Sequence, residues 1–221
     1  MVIWARRIPR DLLIFMKGLL RGLPRTDKLA KRRLFVDCGS NVGQGFRYFR
    51  KMYPMSLYDF VLIEPNPNCI ASLRRDFDHL KNVTILEAAA WVETGELDFF
   101  GLSEDQDQYS VGGSVIEDHN ASMYEVDVDS ATRVPAIDFA KKFNEIAADY
   151  EQVILKMDIE SAEYTVLPHF LEKAKLDNLD HAYIEFHTRF MEEPEKSENL
   201  AIENQIIATL KSRSIPHTVW Y

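Results

Sequence analysis

The sequence predicts an α/β protein built on a doubly wound, mostly parallel sheet with helices on both faces. Three observations carry this. Short β-rich runs that are apolar on both faces recur along the chain, as buried parallel strands require. Stretches with apolar residues at steps of three and four separate them. The first run ends in a turn of small residues, the pattern of a strand feeding a helix.

The strands come in order. Leu34-Phe-Val-Asp37 is the first, Phe60-Val-Leu-Ile-Glu64 the second and Val83-Thr-Ile-Leu86 the third. Val153-Ile-Leu-Lys-Met-Asp158 and Ala182-Tyr-Ile-Glu-Phe186 follow, and the tail from Ile215 to Tyr221 reads as a last strand. Helices lie between them. Gly45 to Met52 places Phe46 and Phe49 on one face. Pro67 to Leu80 spaces Cys69, Leu73, Phe77 and Leu80 helically, with Pro67 suited to a first turn. Ala136 to Ala147, Ser161 to Ala174 (kinked at Pro168) and Leu200 to Leu210 complete the set. Residues 101–135 interrupt the alternation. They are rich in Asp, Ser and Gly and read as a loop with one or two short strands, such as Tyr124 to Val128.

Composition narrows the function classes. The 221 residues include 13 Phe, 9 Tyr and 3 Trp, too many aromatics for a disordered chain. Two cysteines, Cys38 and Cys69, make no disulfide framework and fit a reducing, cytoplasmic setting. In that setting the glycosylation pattern Asn120-Ala-Ser122 is a chance match. No apolar run approaches the roughly 20 residues that span a bilayer.

The net charge of −9 is unevenly divided. Residues 1–33 hold ten Lys/Arg against Asp11 and Asp27, a balance of +8, which leaves −17 on the rest. A body this acidic repels a phosphate backbone, so nucleic acid is not an expected partner. In the basic segment Trp4, Ile8, Leu12, Phe15, Leu19 and Leu23 form a helical stripe. Residues 1–33 are thus expected as a helical extension to a domain over 34–221. The stripe either packs on that domain or lies on an anionic membrane surface, a peripheral contact.

The first strand runs into Asp37-Cys-Gly39-Ser40-Asn41-Val-Gly43-Gln-Gly45, and the second ends in Glu64, 27 residues after Asp37. In α/β folds an acid at that place accepts hydrogen bonds from the hydroxyls of an adenosine ribose. A dinucleotide site wants Gly-x-Gly-x-x-Gly to make room for a pyrophosphate. Here Asn41 occupies the middle, and Asp37 would repel a pyrophosphate. An acid beside the turn suits a cofactor that bears an ammonium and a sulfonium, as S-adenosylmethionine does.

Taken together, Asp37-x-Gly39-x-Asn41-x-Gly43, Glu64-Pro-Asn, Lys156-Met-Asp158-Ile-Glu160-Ser-Ala-Glu163 and Ile184-Glu185-Phe-His187 resemble the FkbM family of S-adenosylmethionine-dependent methyltransferases. The likeness runs from about residue 34 to about residue 190. It implies a class I, Rossmann-like methyltransferase sheet. It also implies that Asp37, Gly39, Ser40, Asn41 and Gly43 hold the methionine part of the cofactor, Glu64 and Pro65 the ribose, and Ala88 and Ala89 the adenine. Members are similar to O-methyltransferases acting on hydroxyls of sugars, glycans and secondary metabolites. One departure touches the turn after the fourth strand: the family usually has Gly where this chain has Ser161.

A hydroxyl is a poor nucleophile at neutral pH, so methyl transfer to oxygen needs a base or a metal. Period-two alternation puts Lys156, Asp158 and Glu160 on one face of the fourth strand, and Tyr183, Glu185 and His187 on one face of the fifth. Asp158, Glu160, Glu185 and His187 are then expected at the sheet's carboxyl edge as catalytic residues. Three readings stay open. His187 or Asp158 is a general base; or Asp158, Glu185 and His187 hold Mg²⁺ or Mn²⁺; or the acids bind the acceptor's hydroxyls. Trp91, Tyr109, Ser114 and Arg189 are further candidates for acceptor contact. A methyltransferase fold without turnover, or transfer to nitrogen, are the rival functions.

Overall fold

The computed structural model describes residues 33–101, 113–117 and 131–220. The basic segment, apart from Arg33, lies outside them, as do Tyr109, Asn120 to Ser122 and Tyr124 to Val128.

Six strands form the main sheet. They are β1 (Arg33–Cys38), β2 (Tyr58–Ile63), β3 (Val83–Leu86), β7 (Gln152–Met157), β8 (Leu179–Glu185) and β9 (His217–Trp220). Their spatial order is β3-β2-β1-β7-β8-β9, and every pairing is parallel. This is the doubly wound arrangement the alternation predicts. The order reverses between β1 and β7, and in such sheets ligands bind outside the carboxyl ends at that reversal.

The helices are α1 (Gln44–Phe49), α2 (Pro67–Phe77), α3 (Phe139–Ala147), α4 (Glu163–Lys173) and α5 (Glu195–Ser212). The strands' alternation sorts their side chains to two cores. Phe35, Phe60, Ile154 and Tyr183 face one way and pack with Phe46, Phe49, Tyr53 and Phe77 into an aromatic core. Leu34, Val36, Leu155 and Ile184 face the other way, onto Phe139, Phe143, Val166 and Phe170. Caps fix where helices begin: the Asn66 side chain accepts from the Asn68 amide ahead of α2, and Asp138 from Lys141 ahead of α3. Pro168 lies inside α4, which runs on to Lys173.

The sequence reading needs three corrections here. The helix expected from Ala136 starts at Phe139, because Thr132–Asp138 is a strand, β6. Two further strands, β4 (Ala89–Trp91) and β5 (Gly95–Phe99), pair with it in a second sheet of order β4-β6-β5. Their residues are poor strand formers, and cross-strand pairing rather than propensity holds them. Finally, α5 begins at Glu195, ahead of the expected Leu200. Among the described residues no helix is long and apolar enough to cross a membrane.

Candidate functional site

The turn after β1 is shaped by close backbone approach. The Gly39 and Ser40 amides both donate to the Ile63 carbonyl at the end of β2, at 3.0 and 3.1 Å. The Asp158 amide donates to the Cys38 carbonyl, tying in the end of β7. Gly39 has φ +74°, and a Cβ there would fall 1.6 Å from the Asp158 carbonyl oxygen. Only glycine allows strand ends to meet this closely. Beside this junction opens a cleft of about 610 Å³, mouth included.

Eight of the residues singled out in the sequence line this cleft: Gly39, Asn41, Glu64, Pro65, Ala89, Ser114, Asp158 and Glu160. Glu64 sits just past β2 and is 6% exposed. Its two oxygens accept the Asn41 and Asn66 amides at 2.8 and 2.9 Å. Burial pushes its carboxyl up to about 7, against those two bonds. Each oxygen keeps a further lone pair for a ligand hydroxyl.

Other expected residues lie off the cleft. Ser40 spends its hydroxyl on the Asp37 carbonyl at 2.8 Å, inside the turn. Gly43, at φ +90°, caps α1 and packs on Phe77. Ala88 is buried, while Ala89 and its neighbour Ala90 reach the lining. Asp37 is fully buried beneath the turn and does not border the cleft; the carboxylates that do are Glu64, Asp158 and Glu160.

Two charged trios stand behind the cleft wall. In the first, Lys156 lies between two acids. Its Nζ is 3.2 Å from Asp37 and 3.1 Å from Asp158, and it also donates to the Gly39 carbonyl at 2.8 Å. Asp37 and Lys156 are register partners on adjacent strands, which puts them side by side on one face. Burial would strip the Lys156 charge, but Asp158 and Asp37 outweigh it and hold the ammonium well above its ordinary range. Burial raises the Asp37 carboxyl against the pull of Lys156.

In the second trio, His187 lies between Glu160 and Glu163. Its Nε2 is 3.2 Å from Glu160 and 3.8 Å from Asp158, and its Nδ1 is 3.4 Å from Glu163. Glu163, fully buried at the start of α4, also accepts the Ile159 amide. The Tyr164 hydroxyl takes the amides of His187 and Thr188, both at 2.7 Å. Burial alone would lower the His187 pKa; the carboxylates of Glu163 and Glu160 instead push it up to about 11. At that value His187 holds a proton at neutral pH.

The expected metal set also changes. Asp158, Glu163 and His187 bring possible ligand atoms within 4.8 Å of one another; Glu185 is not in that group. Its carboxylate pairs with Arg189. The strand ends at Glu185, so its alternation does not extend to His187. A histidine must give up its proton to bind a metal, and Lys156 and the imidazolium already offset the acids. With His187 protonated, the ready ligands in this group are the Asp158 and Glu163 carboxylates.

Glu160 and Ser161 have φ +51° and +74°, successive non-glycine residues in the left-handed region. The turn is held by Ser114, whose hydroxyl donates to the Glu160 carbonyl at 2.5 Å. Of the other acceptor candidates, Ser114 lines the cleft, Trp91 packs against the core that holds Phe139 and Phe143, and Arg189 is engaged with Glu185. Sequence reasoning gave no role to Glu163 and Tyr164, whose signals were a buried acid and a hydroxyl at a helix start. Nor did it name Phe99 and Ile159 as cleft lining.

The methyltransferase FkbM domain model matches residues 37–211, which span both trios and the cleft. The chain belongs to the FkbM methyltransferase family. Among solved structures, this FkbM-family chain is similar to the crystal structure of methyltransferase FkbM from Methylobacillus flagellatus KT, at 16% identity and a TM-score of 0.38. That likeness covers 69% of this chain and 32% of the other, so the chain spans about a third of the solved protein's length. No curated protein matches the chain.

Proposed function

We propose that this chain is an S-adenosylmethionine-dependent O-methyltransferase acting on a hydroxyl of a sugar, glycan or secondary metabolite. The observation that carries the reading is one cleft bordered by Glu64 at the end of β2, the Gly39 turn after β1 and Asp158 at the end of β7. The donor set fits the cofactor. Glu64 has acceptor capacity for ribose hydroxyls, Gly39 and Asn41 line the wall beside it, and Asp158 sets a carboxylate where positive charge is welcome.

When bound, the cofactor supplies a methyl group already activated by its sulfonium sulfur. The chain's own work is then to align the acceptor, exclude water and take up the hydroxyl proton. Asp158 is the group for that proton, because its carboxylate lines the cleft, while His187 is already protonated. Glu160 lines the wall next to it and pairs with His187.

Two variants test the reading. Asp158→Asn is expected to bind S-adenosylhomocysteine in calorimetry much as the parent does, yet lose roughly 10²–10⁴ in methyl transfer. Unchanged turnover would remove Asp158 from the proton step. Glu64→Gln is expected to weaken S-adenosylhomocysteine at least about tenfold, the worth of one hydrogen bond to a charged group. Undiminished binding would show that the ribose lies elsewhere. A screen of sugar acceptors with and without EDTA completes the test, with equal rates expected in both arms.

A further inference from the structure

Glu64 is flanked by two asparagines. Its Oε2 accepts the Asn41 amide and its Oε1 the Asn66 amide. Each asparagine also commits its side-chain oxygen to a backbone N–H. The Asn66 Oδ1 accepts the Asn68 amide at 2.9 Å, as the cap of α2. The Asn41 Oδ1 accepts the Val42 amide at 2.7 Å and lies 3.6 Å from the Cys69 sulfur. Burial pushes the Cys69 thiol up to about 12, so it keeps its hydrogen and donates too. A backbone N–H can only donate, and this fixes which end of each carboxamide is oxygen. The other end is an NH₂ group.

Both asparagines line the cleft beside Glu64, and Asn66 is 1% exposed. Among the described residues neither NH₂ group meets an acceptor. A buried donor left unused is costly unless a ligand takes it. The cleft therefore sets two kinds of group side by side. Glu64 has lone pairs for hydroxyl hydrogens, and the carboxamides have hydrogens for hydroxyl oxygens. A hydroxyl both donates and accepts, so two neighbouring hydroxyls match one carboxylate between two NH₂ groups.

We infer that Asn41 and Asn66 are the donor half of a vicinal-diol site whose acceptor half is Glu64, and that the two asparagines help this cleft prefer a ribose to a deoxyribose. This rests on the cofactor reading above, in which Glu64 meets the ribose, and goes beyond it by adding two residues that bind the hydroxyl oxygens. Asn66 acts at both ends, capping α2 with its oxygen and binding ligand with its nitrogen.

The test uses the full chain and calorimetry with S-adenosylhomocysteine and its 2′-deoxy and 3′-deoxy counterparts. On the parent each deoxy compound is expected to bind at least roughly tenfold more weakly, because groups built to meet a hydroxyl are left unpaired. Asn66→Ser keeps a neutral cap for α2 and removes the NH₂ group. It should weaken S-adenosylhomocysteine roughly tenfold and one deoxy compound much less, so that discrimination against that compound shrinks. Asn66→Asp, which also caps, takes its place should the serine variant not fold. Asn41→Asp keeps an acceptor for the Val42 amide and should shrink discrimination against the other deoxy compound. Equal binding of the three compounds by the parent, or unaltered discrimination in either variant, would overturn the inference. If S-adenosylhomocysteine does not bind the parent, the cofactor reading fails. The diol site is then read by ligand-observed NMR with methyl ribofuranoside and its 2-deoxy and 3-deoxy forms. The same order and the same variant effects there uphold it; binding of none, or equal binding, overturns it.

Discussion

The Lys156 trio and the His187 trio perform the same electrostatic task by different routes. In the first, two adjacent strands supply the parts in register: Asp37 on β1 faces Lys156 on β7, and Asp158 follows as β7 ends. The geometry is that of a rigid sheet. In the second, the parts come from a left-handed turn, a helix start and the chain after β8, and Tyr164 and Ser114 are needed to hold them. One trio is a by-product of strand pairing; the other exists only because three loops meet.

The sharpest way to break this comparison is to remove each cation. Lys156→Met leaves the buried Asp37 and the half-buried Asp158 side by side without a counter-charge. Breaking a buried pair this way costs about 3–5 kcal/mol, which chemical denaturation would read as a much lower midpoint. Loss below about 1 kcal/mol would mean that the carboxyls simply take up protons. His187→Gln should cost less, about 1–3 kcal/mol, since Glu160 reaches solvent and a neutral amide can still donate to one acid.

A pH series sharpens the same contrast. His187 has its folded pKa raised from 6.5 to about 11, so its stabilisation is fully present below pH 6.5 and fades as pH rises toward 11. Glu64 acts in the same sense at lower pH, since its carboxyl is raised from 4.5 to about 7 and its ionisation there opposes folding. Stability should therefore fall from mildly acid to alkaline pH. His187→Gln should flatten the part above pH 6.5 relative to the parent, and parallel curves would contradict the protonated His187.

The smallest effect concerns the turn itself. Ser161 at φ +74° bears a left-handed cost of about 1–2 kcal/mol, offset in a glycine by about 0.5–1 of chain freedom. Ser161→Gly is expected to raise the melting temperature by roughly 2–4 °C. A lower melting temperature would mean that the serine's own contacts outweigh the strain.

The amino-acid sequence by itself determined the parallel sheet, its order of strands and helices, the glycine turn and the acid that ends β2. These follow from local periodicity and from residue types that only one backbone geometry tolerates, such as Gly39 against the Asp158 carbonyl. The tertiary structure decided the rest. It moved Asp37 beneath the turn, placed Glu163 rather than Glu185 beside His187, fixed that histidine's proton and built the second sheet from weak strands. Period-two reasoning stops where a strand stops. Beyond β7 and β8 the side chains are aimed by left-handed turns and by contacts from distant elements, which no local pattern encodes.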